Sequence, residues 1–134
     1  MKHRVLVVDD EPAILHAISR ILRREGIDAV TVGSAEEALV ALDDAPAHAV
    51  LLDYHLPGMS GAALGAELVR RWPALGGRVM FVTGDPTLTP DALPSACRGA
   101  RLMRKPFDLL ELAAEVRALL AMPDATPTSP GTAS

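Results

Sequence analysis

The chain has few of the residues on which several classes of protein depend. Among its 134 residues there is one cysteine, Cys97, so no disulfide can form within the chain, which suits a reducing compartment. Its one Trp, one Tyr and two Phe are too few and too scattered to form a platform for stacked nucleic-acid bases. Its net charge of −4 also disfavours nucleic acid as the main partner, because phosphate neutralisation needs a basic surface.

The N-terminus lacks the features of a targeting or membrane segment. Between the basic residues 2–4 and the pair Asp9 and Asp10 lies only the apolar run 5–8, which is too short for either. The four histidines have no metal-ligand spacing, and the small-residue stretch 61–65 has no phosphate-loop lysine. We therefore expect a cytoplasmic protein with neither a histidine metal site nor a nucleotide-binding loop.

The chain does contain short apolar runs that alternate with helical patterns, which is typical of an α/β fold with a parallel sheet. Continuous apolar runs of this length indicate strands buried on both faces. Four such runs are residues 5–8, 49–52, 79–82 and 102–103, and residues 27–32 predict a further strand. Helices are predicted between them, with a capping box at 34–37 and an Asp cap at 108.

Prolines interrupt the pattern in two places. Pro86, Pro90 and Pro94 leave room only for a short or irregular fourth helix, which we expect at 91–97. Beyond residue 122 the composition is rich in Pro, Ser and Thr. The sequence therefore predicts one folded domain over 1–122 and a disordered tail over 123–134.

Polar residues stand where four of the strands end. Asp9 with Asp10, Asp53, Thr83 and Lys105 follow or close successive apolar runs. Parallel sheets bind ligands beyond the carboxyl ends of their strands, so we expect these side chains to converge there. An oxygen-only group of aspartates favours Mg²⁺ over zinc.

This set of residues suits phosphoryl transfer. Asp53 could act as an oxygen nucleophile that forms an aspartyl phosphate, while Asp9 and Asp10 hold the metal. Thr83 and Lys105 offer a hydroxyl and a cation to the remaining phosphoryl oxygens. Each residue alone has an ordinary explanation as a cap, a turn former or a solvated lysine. Their joint position at successive strand ends favours a site.

The motifs that carry these residues resemble the receiver domain of two-component response regulators. They are VVDDEP at 7–12, LDYHLPGMSG at 52–61, VTG at 82–84 and KPF at 105–107, in the family's order and close to its spacing. The resemblance implies a flavodoxin-like (βα)5 doubly wound parallel sheet with strand order 2-1-3-4-5.

The resemblance also implies a role for each site residue. Asp53 would accept phosphate from a histidine kinase or a histidine phosphotransfer protein. Mg²⁺ would be bound by Asp9, Asp10, Asp53 and the backbone carbonyl of His55. Thr83 and Lys105 would contact the phosphoryl group.

Further expectations follow for the surroundings of the site. The Lys105–Pro106 peptide would be cis, and His55 and Asp85 would flank the phosphoryl group and tune its hydrolysis. The family usually has Tyr or Phe three residues before the lysine, where this chain has Leu102. We expect Asp53 to be phosphorylated despite Leu102. We expect the chain to be a monomer or a phosphorylation-dependent dimer.

We interpret the chain as a signalling switch that acts by protein contact on an effector and carries no output domain. The resemblance implies that the hydrophobic face of the first helix, next to the site, is the kinase-docking surface. Met1 and the tail favour a free-standing chain, and the alternative is a receiver excised from a hybrid histidine kinase or a larger regulator.

Two other classes remain as rivals. A Mg²⁺-dependent aspartyl-phosphate phosphatase would need a carboxylate two residues after Asp53, where His55 stands, so we expect only slow self-dephosphorylation and no metabolic enzyme. A flavodoxin-like cofactor binder would need a first loop rich in Ser, Thr or Gly. The acidic run 9–11 would repel its phosphate.

Overall fold

A computed structural model describes residues 2–97 and 99–122, and its centre is a five-stranded parallel sheet. The strands are β1 Arg4–Val8, β2 Asp28–Val32, β3 Ala49–Asp53, β4 Val79–Thr83 and β5 Arg101–Arg104. Their order in the sheet is β2-β1-β3-β4-β5, which confirms the predicted topology. The predicted tail, 123–134, lies outside the described residues.

Four α-helices connect and follow the strands within the described residues: α1 Pro12–Arg24, α2 Ala35–Asp44, α3 Gly61–Arg71 and α4 Leu109–Ala121. The side chains of Ser34, Ser60 and Asp108 accept backbone hydrogen bonds at the starts of α2, α3 and α4. Ser34 accepts from the backbone N–H of Glu37, as the predicted capping box requires, but the Glu37 carboxylate accepts from the backbone N–H of Gly33, one residue before the N-cap. None of the described helices is long and apolar enough to cross a membrane.

The segment between β4 and β5 differs from the sequence expectation. Within its described residues it forms only a 3-10 turn at Pro90–Ala92, which agrees with the short, irregular element expected here, but the expected extent of 91–97 was wrong. After the turn Leu93 has an extended backbone (φ −74°, ψ 146°), because the ring of Pro94 disfavours the helical conformation of the residue before it. Two prolines four residues apart therefore allow one turn and no more.

The sheet is covered on both faces, as a doubly wound fold requires. On one face buried residues of α1 and α4, such as Leu22 and Leu112, pack against alternate strand residues such as Val7 and Met80. On the other face buried residues of α2 and α3 pack against the intervening strand residues, including Phe81. Because both faces are buried, the carboxyl edge of the sheet is left as the place where polar residues can gather.

Candidate functional site

Two of the acidic side chains at that edge follow β1. The backbone N–H of Asp9 bonds to the carbonyl of Val32 in β2 (3.2 Å), which extends the strand pairing by one residue. The Asp9 carboxylate accepts a 2.8 Å hydrogen bond from the backbone N–H of Glu11 and is buried. Asp10 is exposed. Strand pairing therefore fixes Asp9, and Asp10 faces the solvent beside it.

Asp53 is the last residue of β3 and is also buried. One of its carboxylate oxygens, Oδ1, accepts a 3.1 Å hydrogen bond from the backbone N–H of His55. The chain then returns so closely that a Cβ on Gly61 would lie 2.1 Å from the carbonyl oxygen of Asp53. Gly61 is thus required for α3 to begin directly against the backbone that carries Asp53.

The three aspartates form one cluster. Asp9, Asp10 and Asp53 each offer a carboxylate oxygen, and these oxygens lie within 4.8 Å of one another. Carboxylate oxygens are the ligands that Mg²⁺ prefers, and this metal is commonly held by few carboxylates plus water and phosphate. The donor set therefore fits Mg²⁺, as the sequence predicted.

Lys105 is brought to the same place from β5. Its backbone N–H donates to the carbonyl oxygen of Thr83 (2.7 Å), and its peptide bond to Pro106 is cis, as expected. Its Nζ atom lies 2.9 Å from Oε1 of Glu11, 3.1 Å from Oδ2 of Asp9 and 3.5 Å from Oδ2 of Asp53. One ammonium group therefore serves three carboxylates.

The electrostatics of the cluster shift two pKa values. Burial raises the pKa of Asp53 and the charge of Asp9 raises it further, against the hydrogen bond from His55 and the charge of Lys105. Burial by itself would lower the pKa of Lys105. Its hydrogen bonds to Glu11 and Asp9 and the charge of Asp53 outweigh burial and raise this pKa above its ordinary value. Lys105 is therefore a permanent cation beside a carboxylate that is costly to ionise.

Thr83 closes β4 and is fully buried. Its Oγ1 accepts a 3.0 Å hydrogen bond from the backbone N–H of Asp85. The Asp85 carboxylate turns toward Thr87 and accepts from both its backbone N–H (2.9 Å) and its hydroxyl (2.7 Å). These hydrogen bonds lower the pKa of Asp85, which stays ionised near the site.

Sequence reasoning did not assign a role to Glu11, although it is the acidic residue whose oxygen lies closest to Lys105. Its place directly after Asp9 and Asp10 is the signal that could have revealed it.

Tyr54 was also missed by sequence reasoning. Its backbone N–H donates to the carbonyl oxygen of Val82 (2.8 Å), and its hydroxyl donates to the carbonyl oxygen of Ala92 (3.3 Å). Tyr54 thus joins the site to the segment between β4 and β5.

Comparison with known proteins agrees with this geometry. The family described as response regulator receiver domain matches residues 5–117 of the chain. The chain belongs to this family. It is therefore a receiver domain of the kind used in two-component signalling, and its aspartate cluster is compatible with Mg²⁺ binding.

Individual relatives give the same result for this receiver. It is 36% identical over 121 residues to the DNA-binding response regulator MtrA of Mycolicibacterium smegmatis, covering 90% of this chain and 51% of that protein. It is 37% identical over 119 residues to the transcriptional regulatory protein TcrA of Mycobacterium tuberculosis, covering 87% of this chain and 45% of that one. The receiver thus spans about half the length of these curated relatives.

Solved receiver structures share its fold. A CheY-like response regulator receiver domain protein from Methanospirillum hungatei JF-1 matches with a TM-score of 0.80 and 27% identity, over 90% of this chain and 94% of that one. The signal receiver domain of an HD domain-containing protein from Pseudomonas fluorescens Pf-5 matches with a TM-score of 0.81 and 27% identity, over 90% and 95%.

The receiver departs from the pattern expected for its family at Leu102. This side chain is half-buried on β5 and packs in the same cluster as Phe81 and Tyr54. The rings of Tyr54 and Phe81 meet edge to face, with centroids 6.0 Å apart. Two aromatic rings of this cluster are thus supplied by Tyr54, the residue after Asp53, and by Phe81 of β4.

Proposed function

We propose that Asp53 accepts a phosphoryl group from a phosphohistidine of a histidine kinase or a histidine phosphotransfer protein. A carboxylate oxygen of Asp53 forms the new bond to phosphorus, the phosphorus–nitrogen bond of the phosphohistidine breaks, and its electron pair returns to the imidazole. The observation that carries the proposal is the burial of Asp53 beside Lys105 and two further aspartates.

The surrounding residues have separate roles. Asp9, Asp10, Asp53 and the backbone carbonyl of His55 would hold Mg²⁺, which when bound neutralises charge on the phosphoryl oxygens. Lys105 supplies a cation to an oxygen outside the reach of the metal ligands. The Thr83 hydroxyl, now an acceptor for the backbone N–H of Asp85, can turn its own proton toward another oxygen.

The new negative charge is the signal. Lys105 contacts three carboxylates in the present state, and a dianionic phosphoryl group on Asp53 competes for it. Movement of Lys105 and Thr83 would bias the surface formed by β5 and the segment after β4. The receiver then signals by contact with an effector protein, or as the receiver part of a hybrid histidine kinase or a larger regulator.

A groove beside the site is suited to the donor. It has a volume of about 460 Å³ and is lined on one side by Ala13, Ile14 and Ala17 of α1 and on the other by Phe107 and Leu109. Glu11 and Lys105 also line it, and Lys105 Nζ lies 3.5 Å from Asp53 Oδ2, so a partner seated in the groove would lie close to the acceptor. This placement supports the face of α1 as the kinase-docking surface.

Multiple turnover of a metabolite is not part of the proposal. A phosphatase of the aspartyl-phosphate type would use a second carboxylate two residues after the nucleophile, and His55 is there instead. Asp85, the other expected flanking residue, is engaged with Thr87. We expect hydrolysis of the aspartyl phosphate to be slow and confined to the receiver's own phosphoryl group.

Intact mass after incubation with acetyl phosphate tests the proposal. Wild type should gain one phosphoryl group in the presence of Mg²⁺ and none when the metal is chelated. Asp53→Asn should gain none under either condition, and Asp10→Asn, which keeps the acceptor but loses an exposed metal ligand, should be slowed. An adduct of equal size in Asp53→Asn would show that the acceptor is another residue.

A further inference from the structure

The ammonium group of Lys105 is not centred on Asp53. It lies 2.9 Å from Glu11 and 3.5 Å from Asp53, although Asp53 is buried and the Glu11 side chain is 58% exposed. The Lys105 side chain itself is only 17% exposed. The ammonium group also lies 3.1 Å from the buried carboxylate of Asp9, so of its three carboxylate partners the exposed Glu11 is the closest and the buried Asp53 the most distant.

Backbone contacts leave only the side chains free to adjust this arrangement. The backbone N–H of Lys105 is bonded to Thr83, and that of Glu11 is bonded to the carboxylate of Asp9. The carbonyl of Glu11 accepts from Ile14 and Leu15 in the first turn of α1. Glu11 is the N-cap residue, but its side chain makes no capping hydrogen bond. Its carboxylate is thus not engaged in a capping hydrogen bond that would hold it away from Lys105.

We propose that Glu11 is a positioning residue that holds the Lys105 ammonium away from Asp53 and thereby slows phosphorylation of Asp53. The inference rests on the proposed function, since it concerns the same acceptor. Before Lys105 can contact an incoming phosphoryl group, it must leave Glu11. Loss of the contact should therefore increase the rate at which Asp53 gains the group, without change in the acceptor.

Charge alone provides a competing explanation, because any carboxylate at position 11 repels an anionic donor. Two variants separate contact from charge. Glu11→Asp keeps the negative charge but is one methylene shorter, and as an N-cap aspartate it can turn toward the first turn of α1. Glu11→Ala removes both the charge and the contact. Glu36→Ala, at an exposed position on α2, is a control for net charge.

The first measurement is the initial rate of phosphorylation by acetyl phosphate with Mg²⁺, followed by intact mass. We expect Glu11→Asp and Glu11→Ala to be roughly two- to fivefold faster than wild type, the size set by a partly exposed ion pair, and Glu36→Ala to be unchanged. A Glu11→Asp rate equal to that of wild type would overturn the inference, whatever the rate of Glu11→Ala. Wild type that takes no phosphoryl group would instead overturn the proposed function and the inference with it.

The second measurement needs neither metal nor phosphate. The sequence contains two lysines, Lys2 and Lys105, so ¹⁵N-lysine labelling gives an ammonium signal that is easily assigned. In metal-free wild type the Lys105 ammonium protons should exchange slowly with water, and in Glu11→Asp they should exchange several times faster. Equal exchange in the two proteins would show that Glu11 does not hold Lys105.

Discussion

The backbone N–H of Lys105 donates a 2.7 Å hydrogen bond to the carbonyl oxygen of Thr83. This bond lies one step beyond the last register pair of β4 and β5, in which Thr83 lies opposite Arg104. The backbones of the two residues whose hydroxyl and ammonium we assign to the phosphoryl group are thus fixed to each other through the sheet. A change of state at the site must come from their side chains.

Replacement of Lys105 by Met should destabilise the metal-free protein. The substitution leaves the buried carboxylates of Asp9 and Asp53 without their cation, so the free energy of unfolding should fall by about 1.5–3 kcal/mol, as for hydrogen bonds to charged groups. Urea denaturation measures the loss, and Mg²⁺ should reduce it. Lys2→Met, which removes the other lysine at an exposed position, should have no effect. A similar loss in both variants would contradict the assigned role of Lys105.

Asp53→Asn should stabilise the metal-free protein at neutral pH. Burial and the charge of Asp9 raise the pKa of Asp53 above 3.8, so the folded state binds this proton more tightly than the unfolded state does. The stability that the protonated carboxyl contributes is complete below pH 3.8 and is lost as pH rises through the raised pKa. The advantage of Asn should therefore be largest near pH 7 and shrink as pH falls toward 3.8. Urea titrations at several pH values measure the difference in the free energy of unfolding between Asp53→Asn and wild type. An advantage of Asn that grew on acidification would contradict the prediction.

Arg104→Met should loosen the segment that stands in place of a helix. Arg104 donates to the carbonyl oxygens of Asp85 (3.2 Å) and Leu88 (2.6 Å), which anchor the loop after β4. Loss of these bonds should lower the local opening free energy by about 0.5–1.5 kcal/mol. Hydrogen exchange should become faster at the amides of Leu88 and Ala92. The amide of Ala45, at the end of α2, serves as the internal reference. If the amides of Leu88 and Ala92 exchanged at the same rates in the variant as in wild type, Arg104 would not anchor this loop.

Gly61→Ala should damage both the fold and the acceptor. A methyl group there would overlap the backbone of Asp53, whose carbonyl oxygen is 2.1 Å from the added Cβ. We expect the free energy of unfolding to fall by about 1–3 kcal/mol or more, despite the better helix propensity of alanine. The matched control is Gly33→Ala, because a Cβ at Gly33 meets nothing closer than 3.9 Å. Thermal denaturation that ranks Gly33→Ala as the worse of the two would contradict the close approach.

The strands and the acidic site were predictable because they depend on short-range patterns. Buried parallel strands are continuous apolar runs, and the polar residues that end them must share one edge of the sheet. The resemblance of the motifs to a known family then implied a single strand order. The prolines also predicted the irregular segment between β4 and β5. Only the extent of its helical turn was wrong, because Pro94 keeps the backbone of Leu93 extended and so ends the turn.

Side-chain partners at long range were not predictable in the same way. Glu11 and Lys105 are 94 positions apart, and nothing in the local sequence shows which of several carboxylates the ammonium approaches most closely. The hydroxyl of Tyr54 likewise reaches Ala92 across 38 positions. Such contacts depend on side-chain conformations that only the folded chain determines.

The most direct test is to locate the phosphoryl group on the chain. After incubation with acetyl phosphate and Mg²⁺, treatment with borohydride reduces an aspartyl phosphate to homoserine, which peptide mapping by mass spectrometry identifies. We predict homoserine at position 53 and unmodified aspartate at positions 9, 10 and 85. Homoserine at one of those other positions, or a stable adduct on a histidine, would contradict the assignment of Asp53 as the acceptor.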